Sequence, residues 1–88
     1  MTVFIDHSFE KDTDKISNKK LKLEIVGCTE QVQNTQSAAE IKNFKKTKGV
    51  LLHYRIRILE YRADVTTQGS VITFIRFLHP KDVYRYFP

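Results

Sequence analysis

Arg55 and Arg57 stand two residues apart in Tyr54-Arg55-Ile56-Arg57-Ile58, and Arg62 follows in Tyr61-Arg62. Side chains alternate across a β-strand, so Arg55 and Arg57 share one face while Tyr54, Ile56 and Ile58 share the other. If Leu59-Glu60 is a two-residue hairpin turn, Ile58 opposes Tyr61, Ile56 opposes Ala63 and Tyr54 opposes Val65. On the other face Arg57 opposes Arg62 and Arg55 opposes Asp64. Apolar residues meet apolar residues, so the register is self-consistent, although Leu-Glu lacks the Asn/Asp-Gly chemistry of common two-residue turns. Directly opposed like charges destabilise a sheet. A fold tolerates Arg57 beside Arg62 where an anion is expected. Arg55 with Asp64 also has a plainer reading, a surface ion pair worth about 0–1 kcal/mol. Arg76 is ambiguous: a three-residue loop over 67–69 puts it on the basic face, and a two-residue loop puts it on the core face.

Other chemistries find no matching residues. Cys28 and the three histidines, His7, His53 and His79, lack zinc-ligand spacing. There is no Gly-rich phosphate loop and no Gly-x-Ser-x-Gly. No metal or cofactor is expected, and any reaction must use Arg, Lys, His and Tyr. Taken alone, His79 reads as a strand-end structural histidine and Tyr84 as a packing residue.

The charge distribution favours a polyanion. The chain has 88 residues and a formal net charge of +5. Residues 1–41 carry a balance of −2 and residues 42–88 one of +7. A basic half beside a mildly acidic one suggests a nucleic-acid-binding face. The length sets one thin-cored domain spanning residues 1–88. No apolar run approaches the roughly 18 residues of a spanning helix, and the N-terminus lacks the pattern of a signal peptide. A lone cysteine suits a reducing compartment, so a cytoplasmic location is expected.

The elements that must position these residues follow from periodicity. Val3-Phe4-Ile5 reads as a short strand. Ser8 is a candidate cap for a helix carrying Glu10 and Asp12 early, the favourable sign at a helix N-terminus, with Phe9 and Ile16 on one face. Ser17-Asn18 interrupts and can cap again. Leu21, Ile25, Cys28 and Val32 follow a helical stripe, on which Cys28 is a buried, inert thiol. Gly27 inside that helix costs roughly 1 kcal/mol against Ala, which predicts a bend or a close approach there. Ala38 to Phe44 reads as a short helical turn and Lys45-Lys46-Thr47-Lys48-Gly49 as a basic loop. Strands follow from Val50 to Ile58, from Tyr61 to Thr66 and from Val71 to Leu78, the last apolar on both faces and therefore central. Asp82 to Phe87 forms a short terminal helix or tail. The expected class is α+β: an N-terminal strand and two helices packed on a small antiparallel sheet, in the order βααβββ.

Taken in order, Lys45-Lys46-Thr47-Lys48-Gly49, Tyr54-Arg55-Ile56-Arg57-Ile58, Tyr61-Arg62, Arg76-Phe77-Leu78-His79 and Asp82-Val83-Tyr84 resemble the RelE/ParE toxin superfamily. The opening Phe4-Ile5-Asp6 with Phe9-Glu10-Lys11-Asp12 is similar to it as well. The resemblance implies the toxin of a type II toxin–antitoxin pair, and its RelE-like branch is favoured. RelE-like toxins cut mRNA on the ribosome without a metal. ParE-like members share the fold and inhibit DNA gyrase.

Carried onto this chain, the resemblance implies that Arg55 and Arg57 surround the scissile phosphate and that Arg62 stabilises the transition state. His79 and Tyr84 are implied in proton transfer and base stacking. Lys45, Lys46, Lys48, Arg76 and Lys81 are the expected further RNA contacts. The implied reaction is attack of the ribose 2′-hydroxyl on its own 3′-phosphate, with His79 better suited than any arginine to act as base. The implied partners are a cognate acidic antitoxin, the ribosome and mRNA, with no membrane. Two alternatives remain at this point: a ParE-like gyrase inhibitor, and a non-catalytic basic nucleic-acid-binding module.

Overall fold

The backbone forms one strand, two helices and four further strands, in the order β1 (Thr2–Ile5), α1 (His7–Asp14), α2 (Lys19–Gln33), β2 (Phe44–Lys46), β3 (His53–Ile58), β4 (Tyr61–Gln68) and β5 (Val71–Leu78). This is a computed structural model that describes residues 1–36 and 53–81, and the backbone of 44–46. The five strands form one sheet in the order β1-β5-β4-β3-β2. The class is α+β, as expected, with two differences in the sheet. It is mixed, because β1 runs parallel to β5, from Thr2 opposite Val71 to Ile5 opposite Phe74. It also has an additional edge strand. Phe44–Lys46, read from sequence as the end of a helical turn and the start of a loop, pairs antiparallel with β3, Phe44 opposite Ile56 and Lys46 opposite Tyr54. A single helical turn is marginal on its own, and pairing with the exposed edge of β3 supplies the backbone partners it would lack. The remainder of the expected turn and loop (38–43 and 47–49) and the expected terminal helix (82–87) lie outside the described residues.

Both helix starts are capped by side chains. Asn18 accepts from the Leu21 backbone N–H at 3.1 Å, as the sequence suggested. The first helix begins earlier than the Ser8 reading: Asp6 is its cap, accepting from the Ser8 N–H at 3.0 Å. An aspartate is as good a cap as a serine, and its charge also suits the helix dipole.

The core lies between the helices and one sheet face. Phe9 of α1 and Leu21, Ile25 and Val32 of α2 pack on Ile56, Ile58, Ala63, Val65, Ile72, Phe74 and Phe77. Phe9 meets Phe74 and Phe77 edge-on, with ring centroids 5.3 Å and 5.8 Å apart. Such aromatic contacts contribute about 0.5–1.5 kcal/mol each beyond burial. Cys28 packs against this cluster. Burial pushes its thiol up to about 11, so it stays protonated near neutrality and is inert.

The helix runs uninterrupted through Gly27, which marks no close approach. It is exposed, and a Cβ there would meet nothing within 4 Å. Gly27→Ala is therefore expected to stabilise the protein by about 0.5–1 kcal/mol, by relieving the backbone entropy cost of glycine in a helix. Thermal unfolding measures this as a rise in Tm of several degrees. A fall in Tm would show that α2 needs its glycine.

Candidate active site

The face of the sheet away from the helices is built by the alternation of β3, β4 and β5. Ile58 opposes Tyr61, Arg57 opposes Arg62, Ile56 opposes Ala63, Arg55 opposes Asp64 and Tyr54 opposes Val65. This is the register expected from a two-residue Leu59-Glu60 turn. The turn closes with Leu59 at φ 56°, a left-handed conformation that costs a non-glycine residue roughly 1–2 kcal/mol. The flanking arginines brace it. Arg57 Nε donates to the Leu59 carbonyl at 3.1 Å, and Arg62 Nη1 donates to the carbonyls of Glu60 and Tyr61 at 3.2 Å and 3.0 Å. Each guanidinium has five N–H donors, so both keep donors available for an incoming anion. Among the described residues neither Arg57 nor Arg62 forms an ion pair with a carboxylate.

Arg76 joins this face by a route that neither sequence alternative contained. The β4–β5 turn has two residues, Gly69-Ser70, with Gln68 opposite Val71. That turn alone would send Arg76 to the core side. A bulge intervenes: Val65 opposes Phe74 but Asp64 opposes Arg76, leaving Ile75 as the extra residue. An inserted residue reverses the alternation beyond it, and Arg76 returns to the side of Arg62 and Asp64. Its side chain also ties the sheet to α1. Asp12 accepts from Arg76 Nε at 2.8 Å, from Arg76 Nη2 at 3.3 Å and from the Phe77 backbone N–H at 2.9 Å. The β1 edge has run out there, since the last bond between them is Asp6 N–H to the Phe74 carbonyl at 2.8 Å. Asp12 thus takes over the edge of β5 where β1 leaves it.

Arg55 and Asp64 are not the plain surface pair that sequence allowed. Asp64 is only 2% exposed, and its nearest ionic partner is His53, whose Nε2 lies 2.5 Å from Asp64 Oδ1. Burial pushes the Asp64 carboxyl up, and the charges of His53, Arg55 and Arg76 act in the opposite direction. Neither His53 nor Asp64 was singled out as a site residue. The available signal was positional: His53 precedes Arg55 by two residues on the same face, and Asp64 is the lone acid opposite that row.

His79 is placed differently from the arginines. Its ring stands perpendicular to that of Tyr61, with centroids 5.3 Å apart, and its Nδ1 accepts the Lys81 N–H at 3.3 Å. Tyr61 in turn stacks on Phe77 of the core at 4.9 Å. His79 therefore packs on the Tyr61 side of β4, whereas Arg62 points to the opposite side. Lys81 is exposed beyond the end of β5. Lys45 and Lys46 have their backbone on the edge strand β2, with Lys45 opposite Arg55 in register. Lys48 and Tyr84 lie outside the described residues.

These observations give a sheet with helices on one side and an arginine row on the other, and the comparisons place it. A toxin named RelE3 from Methanocaldococcus jannaschii is 38% identical over 92 aligned residues, covering 100% of both chains. The chain belongs to the RelE toxin family. The RelE fold itself is matched by the crystal structure of a RelB–RelE antitoxin–toxin complex from Methanococcus jannaschii, with a TM-score of 0.82, 34% identity, and coverage of 97% of this chain and 99% of that one. No family model matches the sequence. Among the described residues of this RelE chain no helix is long and apolar enough to cross a membrane.

Proposed function

We propose that this chain is the toxin of a type II toxin–antitoxin pair and acts as a ribosome-dependent mRNA endoribonuclease in the cytoplasm. The observation that carries the reading is Arg57 opposite Arg62 on the sheet face away from the helices, with no carboxylate of the described residues to neutralise them. Phosphate is the anion their planar forks fit best. The reaction is attack of a ribose 2′-hydroxyl on its 3′-phosphate, which needs no metal. Negative charge grows on the phosphoryl oxygens, and Arg55, Arg57 and Arg62 are aimed where it grows, which is the largest single contribution available to such a site. Lys45, Lys46, Lys48, Arg76 and Lys81 are proposed as further RNA contacts, and Tyr84 as the residue that stacks on a base.

The proposed partner is an acidic antitoxin. Support comes from the family and from the structural relative, which was solved with its RelB antitoxin. The +7 balance of residues 42–88 would steer an acidic segment to the face that otherwise holds RNA.

The test is a cell-free translation reaction dosed with purified toxin, with the ends of the message mapped. New 5′-hydroxyl ends within translated codons are expected. An intact message together with inhibited gyrase supercoiling would support the ParE-like reading instead. Binding of nucleic acid with neither effect would leave a non-catalytic module.

A further inference from the structure

Two positions of the chain give up stability, and both border one groove. Gly27 sits inside α2, where glycine costs about 1 kcal/mol against alanine, yet a Cβ there would meet nothing within 4 Å. Leu59 closes the β3–β4 hairpin at φ 56°, where a glycine would be unstrained, and it is 43% exposed. Packing asks for neither residue, and backbone strain of this kind gathers at ligand sites. Between them lies a groove of about 320 Å³, to which α2 contributes Glu24, Gly27 and Gln31 and the hairpin contributes Arg57, Ile58 and Leu59. Small-ligand sites begin near 300 Å³ and combine apolar walls with a few polar groups, which is the composition found here.

We propose that this groove is a base-binding subsite of the RNA site, which takes the base next to the phosphate on Arg57 and favours bases carrying an exocyclic amino group. The inference rests on the nuclease reading above. Arg57 links the two places: it opposes Arg62 in the sheet and also lines the groove. Its Nε bond to the Leu59 carbonyl at 3.1 Å holds it beside the hairpin tip. A phosphate on this guanidinium leaves the adjoining base within reach of the groove.

Single-stranded RNA is read through bases turned out of the stack, packed against side chains and hydrogen-bonded along their edges. Ile58 and Leu59 supply the apolar wall for such a base. Glu24 and Gln31 stand seven residues apart on α2, two turns or about 10 Å along the axis, and Gly27 between them leaves room for a base edge. A carboxylate only accepts, so Glu24 takes an amino hydrogen; the Gln31 amide both donates and accepts, so it can meet a neighbouring ring acceptor. Adenine, cytosine and guanine carry the amino group and uracil does not. An acidic antitoxin segment suits the groove less well, because Glu24 repels it, whereas a base is uncharged.

Single-turnover cleavage of ribosome-loaded messages with one randomised codon, with every end mapped, tests the subsite. At one fixed position from the cleaved bond, the wild type should cut messages carrying an amino-bearing base about tenfold faster than those carrying uracil. Gly27→Leu fills the groove and Leu59→Gly removes its wall, so each should bring that ratio within about twofold while unfolding cooperatively like the wild type. Glu24→Gln, which exchanges a pure acceptor for an amide, should relax the ratio at the same position. A wild type without base preference, or ratios unchanged in Gly27→Leu and Leu59→Gly, would overturn the subsite. Unchanged ratios in variants that a co-expressed antitoxin no longer neutralises would overturn it too and give the groove to the protein partner. Loss of cooperative unfolding in Gly27→Leu and Leu59→Gly, with the ratio unmoved in Glu24→Gln, would make the groove a structural feature. A wild-type protein that leaves every message intact would instead overturn the nuclease reading itself.

Discussion

Arg62→Ala is expected to abolish growth arrest on expression and to lower the cleavage rate by about 10²–10³-fold, the usual effect of deleting one preorganised donor to a developing oxyanion. The fold should survive. Among the described residues, Arg62 Nη1 bonds only to carbonyls of its own hairpin, those of Glu60 and Tyr61, and each such bond is worth about 0.5–1.5 kcal/mol net. Arg57 still braces the turn through the Leu59 carbonyl, and removing one of two opposed like charges relieves repulsion. Growth on induction, single-turnover cleavage and thermal unfolding of the same variant separate the possibilities. Full toxicity in a folded Arg62→Ala protein would sink its phosphate role, and loss of cooperative unfolding would make it a residue of the hairpin instead. Arg62→Lys is a sharper probe: it keeps the charge but loses the planar fork, so an intermediate rate is expected.

The second large effect concerns substrate context. Message on a translating ribosome is expected to be cut at least about a hundredfold faster than the same RNA free in solution, since positioning can supply effective molarities far above that. The proposed ligand of the arginine face is phosphate, which every nucleotide carries, and phosphate contacts alone position without specifying. A free strand can bind this face in many registers, few of which bring a 2′-hydroxyl into line with the scissile bond. A ribosome removes that freedom. Binding to free RNA should weaken steeply with salt, as expected for an electrostatic grip. Matched single-turnover rates on free and ribosome-bound message provide the measurement, and equal rates would contradict the proposal.

Much of the arginine face was legible in the sequence because a strand obeys a period of two and a hairpin register is set by its turn. Once Tyr54, Ile56 and Ile58 were matched to Val65, Ala63 and Tyr61, Arg57 had to meet Arg62, and the structure pairs them so. The stripe of Leu21, Ile25 and Val32 was legible for the same reason at a period of 3.6, and all three are buried. Both are local rules that depend on near neighbours alone.

What escaped the sequence depended on contacts between distant segments. The parallel pairing of β1 with β5 joins residues about 70 positions apart, and no local pattern distinguishes a parallel edge from an antiparallel one. The strand at Phe44–Lys46 exists because β3 offers it an edge. The side taken by Arg76 was settled by a bulge at Ile75 and by Asp12, a helix residue 64 positions away. The partnership of His53 with Asp64 was visible as a shared face but not as a contact. Choosing among the neighbours of a buried carboxylate is a matter of a few ångströms and of desolvation, quantities that only the assembled sheet defines.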